Sequence, residues 1–282
     1  PFILFSQDNF PINGVRETNQ IIYAFINADI YTDYNSIINN ATLVIKEDKI
    51  LKIGNDIKIP QGSKIIDLQG YKICPSFIDI YTDYGQDANS VKIELSSWNP
   101  ALKSEFNAIN NYIINKEKAT HFINNGFGLV NSLRKDGIIR GTSALVFLSY
   151  DKPHQNILLD KASLCFSFDK GTSSHPYPKS LMGSIAILRQ TYYDLDWYQR
   201  QNGTFNNSLK SLNEAKYLPK IFEVNDCQSI FRSQKIAKEF QEKFIIRTNG
   251  DEYQRVNEIK NMKLPLIVPI NFPKLKISNN PY

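Results

Sequence analysis

Apolar and polar residues follow two different patterns along the chain. Between residues 21 and 70, short runs rich in Ile, Val, Phe and Tyr are separated by clusters of Asp, Asn, Gly and Pro. Short β-branched runs bounded by such turn residues are typical of antiparallel strands and hairpins. We therefore predict a small β-sandwich-like module over residues 21 to 70. Residues 1 to 20 are polar and turn-rich, and we predict that they form an irregular lead-in.

After Gly70 the pattern changes to strands followed by helices. Strand-like runs begin at Lys220, Lys243 and Leu264, 21 to 23 residues apart, and the segments between them carry apolar residues at helical spacing. Strands that alternate with amphipathic helices predict a parallel sheet covered by helices. We assign residues 71 to 282 to this β/α domain.

The middle of the chain has less regular units. We predict helices over residues 116–125 and 180–199, the first closed by Gly126, since glycine readily adopts the left-handed conformation that ends helices. The predicted strands of this part cover residues 71–81, 128–133, 139–150 and 156–168.

Composition excludes several classes of protein. With 42% hydrophobic and 22% charged residues, the chain is not a coiled coil, a collagen or a disordered tail. No apolar run approaches the roughly 18 residues of a membrane-spanning helix, so we predict no transmembrane segment. The net charge of +5 comes from scattered basic residues, which predicts no nucleic-acid partner. Cys74, Cys165 and Cys227 are too far apart for a zinc ribbon or a disulfide framework.

The chain has only three histidines, so a site built from four imidazoles is excluded. His121 lies in a predicted helix and His154 in a polar turn, and we expect both at the surface. His175 lies in a loop, where a role as general base would need an orienting carboxylate such as Asp169 and a nearby serine nucleophile. We favour a structural or exposed His175, and retain Asp169, Lys170 and His175 as candidates for substrate binding.

The segment from Pro75 to Gly85 resembles the start of the amidohydrolase superfamily. In that family a small β-module is split around a (β/α)8 barrel, and the first barrel strand reads Pro-Gly-Phe-Ile-Asp-x-His-x-His-x-Gly. Its two histidines bind a divalent metal, usually zinc. The present segment reads Pro-Ser-Phe-Ile-Asp-Ile-Tyr-Thr-Asp-Tyr-Gly, so Tyr81 and Asp83 stand at the histidine positions. The resemblance implies an α/β chain with a partial (β/α)8 TIM-type barrel after the β-sandwich-like module.

Two later units extend the resemblance to the imidazolonepropionase-like branch. In the unit that begins at Leu218, Glu223 stands where the family has a metal-binding histidine, and in the next unit Asn249 or Thr248 does. The family's catalytic Asp, by this resemblance, belongs to a strand after Tyr282.

The block from residue 166 to residue 194 resembles long chains that pair a histidine-poor amidohydrolase-like half with a half that retains the histidines. The resemblance implies that the remainder of the same polypeptide, or a partner chain, completes the barrel. Because the sequence begins at Pro1 and ends after a strand-like run, we expect that it was processed or cut from a longer one. The sequence does not determine the cellular compartment of the protein, although the resemblance favours export.

The family's reaction uses a metal to activate water, with neutral imidazoles as ligands. Tyrosine, with a pKa of about 10, is a poor ligand at neutral pH. We therefore predict a degenerate metal position at Tyr81, Asp83, Glu223 and Asn249, with no cofactor in this segment. As an alternative, Asp79, Asp83 and Glu223 could form a weak oxygen site for Mg, Mn or Ca. We favour separate local roles for these carboxylates.

Three functions follow from these residues. The first is a catalytically silent scaffold or partner half of a larger hydrolase. The second is part of an active metal-dependent hydrolase of C–N bonds, in cyclic amides or peptides, whose catalytic residues lie outside this chain. The third is a binding module for a peptide or glycan at the barrel mouth.

Overall fold

The structure, a computed structural model, describes residues 21–47, 49–86, 97–150, 156–200 and 205–270. It divides into two compact units, Pro1–Pro75 and Ser76–Tyr282. The predicted lead-in and His154 lie outside the described residues. None of the helices within these ranges has the length and apolarity that a membrane crossing requires.

The described strands of the first unit form one mixed sheet. Its strands are β1 (Ile22–Tyr31), β2 (Ile37–Lys46), β3 (Lys49–Gly54), β4 (Lys64–Asp67) and β5 (Lys72–Ile73). Their order is β3-β2-β1-β4, with β5 also beside β1. β2 runs antiparallel to β1 and β3, whereas β4 and β5 run parallel to β1. One face buries a small apolar cluster that includes Ala28, Ile30, Ala41 and Leu43.

The second unit contains the remaining elements. Its strands are β6 (Phe77–Thr82), β7 (Phe127–Ser132), β8 (Ile139–Thr142), β9 (Ala144–Phe147), β10 (Ile157–Leu159), β11 (Leu164–Ser167), β12 (Lys220–Glu223), β13 (Phe244–Arg247) and β14 (Leu266–Ile267). Its α-helices are α1 (Lys116–Asn124), α2 (Leu181–Arg200), α3 (Asn207–Glu214), α4 (Cys227–Glu239) and α5 (Val256–Met262).

Two sheets form the framework of this unit. One has the order β10-β9-β7-β6 and the other the order β14-β13-β12-β11-β8. Strands β11 to β14 are mutually parallel, as are β6 and β7. Strands β8 and β9 are separated by Ser143 alone, so one stretch of chain passes from one sheet to the other. The predicted α/β chain with parallel strands is therefore confirmed.

Local capping determines where the helices begin and end. Asn115 accepts a hydrogen bond from the Lys118 N–H at the start of α1, and Ser180 accepts one from the Gly183 N–H at the start of α2. Such caps satisfy amide groups that lack an intrahelical partner. Gly126, with a φ of +86°, follows the end of α1 as predicted.

Side chains alternate between two environments along β11, β12 and β13. Phe166, Phe222 and Phe244 form an aromatic cluster, with ring centroids 5.1 to 6.1 Å apart, in a core that includes residues of α2 to α5. The intervening residues Cys165 and Ile221 belong to a second cluster that also contains Tyr81 of β6 and Leu133. This second cluster is the interior shared by both sheets.

Candidate functional site

The carboxyl ends of the parallel strands carry the polar residues of the interior. Tyr81 lies near the end of β6 and Glu223 is the last residue of β12. In barrels of parallel strands this is the edge at which ligands bind. The polar residues of the interior therefore lie at the edge where such strands present ligand-binding groups.

Arg140 connects these two residues. Its guanidinium Nη1 donates to the Tyr81 hydroxyl at 2.7 Å and to Glu223 Oε2 at 2.6 Å, while its Nε donates to the Gly137 carbonyl at 3.2 Å. The Arg140 residue is only 4% exposed. We call Tyr81, Arg140 and Glu223 the Arg140 cluster.

Burial and neighbouring charges shift the pKa values of Tyr81 and Arg140. Burial raises the pKa of the Tyr81 hydroxyl far above its ordinary value, so the phenol is neutral. Burial lowers the pKa of Arg140, but Tyr81 and Glu223 outweigh that effect, and the net pKa is raised. Burial also raises the pKa of the neighbouring Cys165 thiol to about 11. The cluster thus consists of a neutral phenol and a paired guanidinium and carboxylate beside a neutral thiol.

Two further cations lie against Tyr81. The Arg247 guanidinium is 5.6 Å from the centre of the Tyr81 ring, and the Lys135 ammonium is 5.5 Å from it. Lys135 also lies 3.9 Å from a carboxylate oxygen of Asp83. Positive charge therefore surrounds the position at which the resemblance places a metal.

The other residues of the predicted metal position have local partners. Asp79 accepts a hydrogen bond from the Tyr81 N–H at 3.0 Å. The Asp83 side chain is 63% exposed. Asn249 is exposed, donates to the Asn225 carbonyl and accepts from the Asp251 N–H. In the part of the chain that the structure describes, no three His, Cys, Asp or Glu side chains come together as a metal-binding group.

These residues do not fit a divalent metal. Tyr81 is protonated, and Glu223 already compensates a buried cation. A metal at this position would need Glu223 to leave Arg140, which would then be a buried charge without its partner.

Sequence reasoning missed Arg140, although the sequence contains a signal for it. Arg140 follows Ile138 and Ile139 and precedes another apolar run from Ala144. A charged residue inside a buried strand needs an oppositely charged or hydrogen-bonding partner. That rule points to a partner but does not say which one, because Glu223 lies 83 residues further along the chain.

A cleft of about 540 Å³ opens beside the Arg140 cluster, which contributes Glu223 to its wall. We call it the α2 cleft, because the first turn of α2 forms one side. Asp169 and Lys170 line it, whereas His175 is absent from its lining. The full lining is Ser167, Phe168, Asp169, Lys170, Pro178, Lys179, Ser180, Leu181, Ser184, Glu223, Asn225, Asp226 and Ser229.

His175 has a structural environment in the loop before α2. Its Nδ1 lies 2.8 Å from the Tyr177 carbonyl, its own carbonyl accepts from Lys170 Nζ at 3.2 Å, and the Trp98 ring packs edge-on against it. The described hydrogen bonds include none between His175 and Asp169. A general base oriented by this carboxylate is therefore not assembled in this structure.

A buried carboxylate anchors the same loop. Asp136 pairs with Lys103 and Arg134 and accepts hydrogen bonds from the Thr172 N–H and hydroxyl. Burial raises the pKa of Asp136, but the hydrogen bonds from Lys103 and Thr172 lower it more, and the result lies below the ordinary value. Gly171, at a φ of +63°, lies where a Cβ would collide with this carboxylate.

Comparison with solved structures supports the resemblance read from the sequence. An amidohydrolase from Thermotoga maritima MSB8 matches with a TM-score of 0.72 and 18% identity, over 88% of this chain and 70% of that one. The chain has an amidohydrolase fold. The match concerns the fold alone.

Two other structures match less well. A prolidase crystallised with N-methylphosphonate-L-proline gives a TM-score of 0.44 at 10% identity, over 87% of this chain and 65% of its own. N-acetylglucosamine-6-phosphate deacetylase from Pasteurella multocida gives 0.38 at 15% identity, over 88% and 56%. Scores below 0.5 do not establish a shared fold. No family model and no curated protein matches the sequence.

Proposed function

We propose that this chain is a catalytically silent, amidohydrolase-like segment that acts as a scaffold or partner half of a larger hydrolase. The Arg140 cluster carries the proposal, because a guanidinium occupies the interior between two of the positions that resemble metal ligands. Neither of the two described histidines replaces the missing ligands, since His121 lies on α1 and His175 in its own loop. In this proposal the sheet of the first unit is one layer of a β-sandwich-like module.

The edges of the two sheets support the proposal of a partner. Among the described strands, β6 pairs only with β7 and β14 only with β13. A cavity of about 450 Å³ lies between these two edges and is lined by Ile78, Ile80 and Val268, each about half exposed. Unpaired edges with exposed apolar residues invite another strand. We propose that the remainder of the same polypeptide, or a partner chain, completes a partial (β/α)8 barrel here.

Metal analysis tests the silent scaffold. The chain of residues 1–282 is stripped with a chelator, loaded with zinc or manganese, dialysed and analysed for metal. We expect no stoichiometric metal in the wild type. Stoichiometric metal that is lost in Glu223→Gln, and retained in the matched surface variant Glu239→Gln, would overturn the proposal in favour of the active hydrolase.

Sedimentation velocity tests the partner. We expect residues 1–282 to self-associate with rising concentration, and Ile80→Lys to reduce this association because edge lysines block strand pairing. Ile113→Lys, at an exposed position outside the cavity between β6 and β14, is the control. A monodisperse, cooperatively melting wild-type chain would count against an unfinished barrel.

One observation favours a second candidate function, a binding module for a peptide or glycan. Trp98 is 58% exposed and its ring stacks on that of Tyr177, with centroids 6.4 Å apart. Exposed aromatic faces provide apolar contact area for flat or ring-shaped groups. Quenching of tryptophan fluorescence by a panel of oligosaccharides and proline-rich peptides, absent in Trp98→Ala but retained in Trp197→Ala, would support this candidate.

A further inference from the structure

The first turn of α2 borders the α2 cleft without a negative charge of its own. α2 has 20 residues, and its first turn contains no acidic side chain. Ser180 accepts a hydrogen bond from the Gly183 N–H. Several N–H groups at the start of a helix lack an intrahelical acceptor, and one capping side chain does not satisfy all of them. The helix dipole adds a partial positive charge at the same place.

A second and independent observation is the hydroxyl of Ser184. Ser184 lines the cleft and is only 4% exposed, and its hydroxyl forms no hydrogen bond with any residue that the structure describes. The Ser184 oxygen is not among the buried polar atoms that lack a partner, so it is accessible from the cleft although the residue as a whole is buried. A ligand in the cleft would supply the missing acceptor.

The start of α4, on the same cleft, shows the opposite arrangement. Asp226 accepts from the Ser229 N–H at 2.9 Å and from the Ser229 hydroxyl at 2.7 Å. The Asp226 carboxylate therefore caps the start of α4, whereas no carboxylate caps the start of α2 among the described residues.

The cleft lining carries two lysines and three carboxylates, and they differ in how they are paired. Lys170 and Lys179 line it, and neither forms an ion pair with a carboxylate among the described residues. Of the three carboxylates in the lining, Glu223 pairs with Arg140 and Asp226 with Arg232, while Asp169 accepts the Gly171 N–H. The two arginines lie outside the cleft lining, where they compensate Glu223 and Asp226 and leave the two lysines available to a ligand.

We propose that the α2 cleft binds a tetrahedral oxyanion, the phosphate group of a small ligand. Free helix amides, a serine hydroxyl and lysine ammonium groups are the donors that bind phosphate in proteins. The volume of about 540 Å³ leaves room for an organic part beside the phosphate. The inference goes beyond the proposed function and does not rest on it, since binding here needs neither a metal nor a completed barrel.

Calorimetric titration of residues 1–282 with inorganic phosphate tests the proposal. Chelator is present throughout, and sodium chloride holds the ionic strength constant. We expect saturable binding at one site, and weaker binding of acetate, which is planar and carries a single charge. Absence of saturable binding, or acetate binding as tight as phosphate binding, would overturn the assignment.

Matched variants locate the site. Lys170→Gln and Lys179→Gln should each raise the Kd for phosphate roughly tenfold, and Ser184→Ala roughly fivefold, through loss of charge-assisted hydrogen bonds. Lys235→Gln removes the same charge from an exposed position on α4 outside the cleft lining and should leave the Kd unchanged. An equal effect of Lys235→Gln would indicate nonspecific attraction and refute the site. Lys179 is exposed, so its variant decides the question even if Ser184→Ala folds poorly.

Discussion

The Arg140 cluster and the α2 cleft share Glu223 but differ in whether their polar side chains have partners within the chain. In the cluster, the Tyr81 hydroxyl and the Glu223 carboxylate both accept hydrogen bonds from one guanidinium. In the cleft, two lysines lack ion-pair partners among the described residues, and the Ser184 hydroxyl has no described acceptor. Groups that are paired with each other contribute stability, whereas groups left open are available to a ligand. The comparison predicts that substitutions will affect stability in the first region and binding in the second.

The largest expected effect is on stability, from Arg140→Met. Removing this cation leaves Glu223 without its partner in a partly buried place, and the free energy of unfolding should fall by about 3–5 kcal/mol. Arg189→Met, which removes a more exposed pair with Glu239, should cost less than about 1 kcal/mol. Urea denaturation of both variants measures the difference. Equal losses in the free energy of unfolding would contradict a special contribution of the Arg140 cluster to stability.

Asp136→Asn should have the next largest effect and should change the pH dependence. Losing charge-assisted hydrogen bonds from Lys103 and Thr172 is expected to cost about 2–3 kcal/mol near neutral pH. Because the pKa of Asp136 is lowered by folding, its contribution is complete above its unfolded pKa of about 4 and is lost as the pH falls through the folded value.

Unfolding of the wild type and Asp136→Asn at a series of pH values from neutral to acidic measures this dependence. We expect the two curves to converge as the pH falls. Parallel curves would show that the Asp136 carboxylate does not contribute to stability in the way its contacts indicate.

Tyr81→Phe is expected to lower the free energy of unfolding by about 1–2 kcal/mol, because it deletes a hydroxyl that accepts from a charged donor. Its raised pKa adds a second signature: the neutral phenol stabilises the fold below the unfolded pKa of about 10, and this contribution is lost at higher pH. Thermal melts on both sides of that pH measure both effects. An unchanged stability would mean that the hydroxyl is dispensable to the cluster.

The smallest expected effect on stability comes from Ser184→Ala in the α2 cleft. Its hydroxyl has no described partner, and alanine favours helix, so the free energy of unfolding should change by less than about 0.5 kcal/mol or rise slightly. The matched deletion Ser229→Ala, which removes a bond to Asp226, should cost about 1 kcal/mol. Chemical denaturation compares the two, and a larger loss in Ser184→Ala would show that the hydroxyl is already satisfied.

Much of the framework could be predicted from local sequence. The helices α1 and α2 lie within one residue of their predicted bounds, because apolar spacing and capping residues act over single turns. The strands β12, β13 and β14 begin within two residues of the predicted positions. The motif from Pro75 to Gly85 also pointed to the fold that the Thermotoga protein shares.

Tertiary structure alone decided the character of the two sites. The partners Arg140 and Glu223 are 83 residues apart, and the α2 cleft joins the loop after β11 to the first turns of α2 and α4. The sequence predicts that Tyr81 and Glu223 stand at positions where the family has metal ligands. It does not indicate that the Arg140 guanidinium lies between them. Periodicity and capping are local and can be read along the chain, whereas the pairing of a buried charge depends on which strand ends the fold brings together.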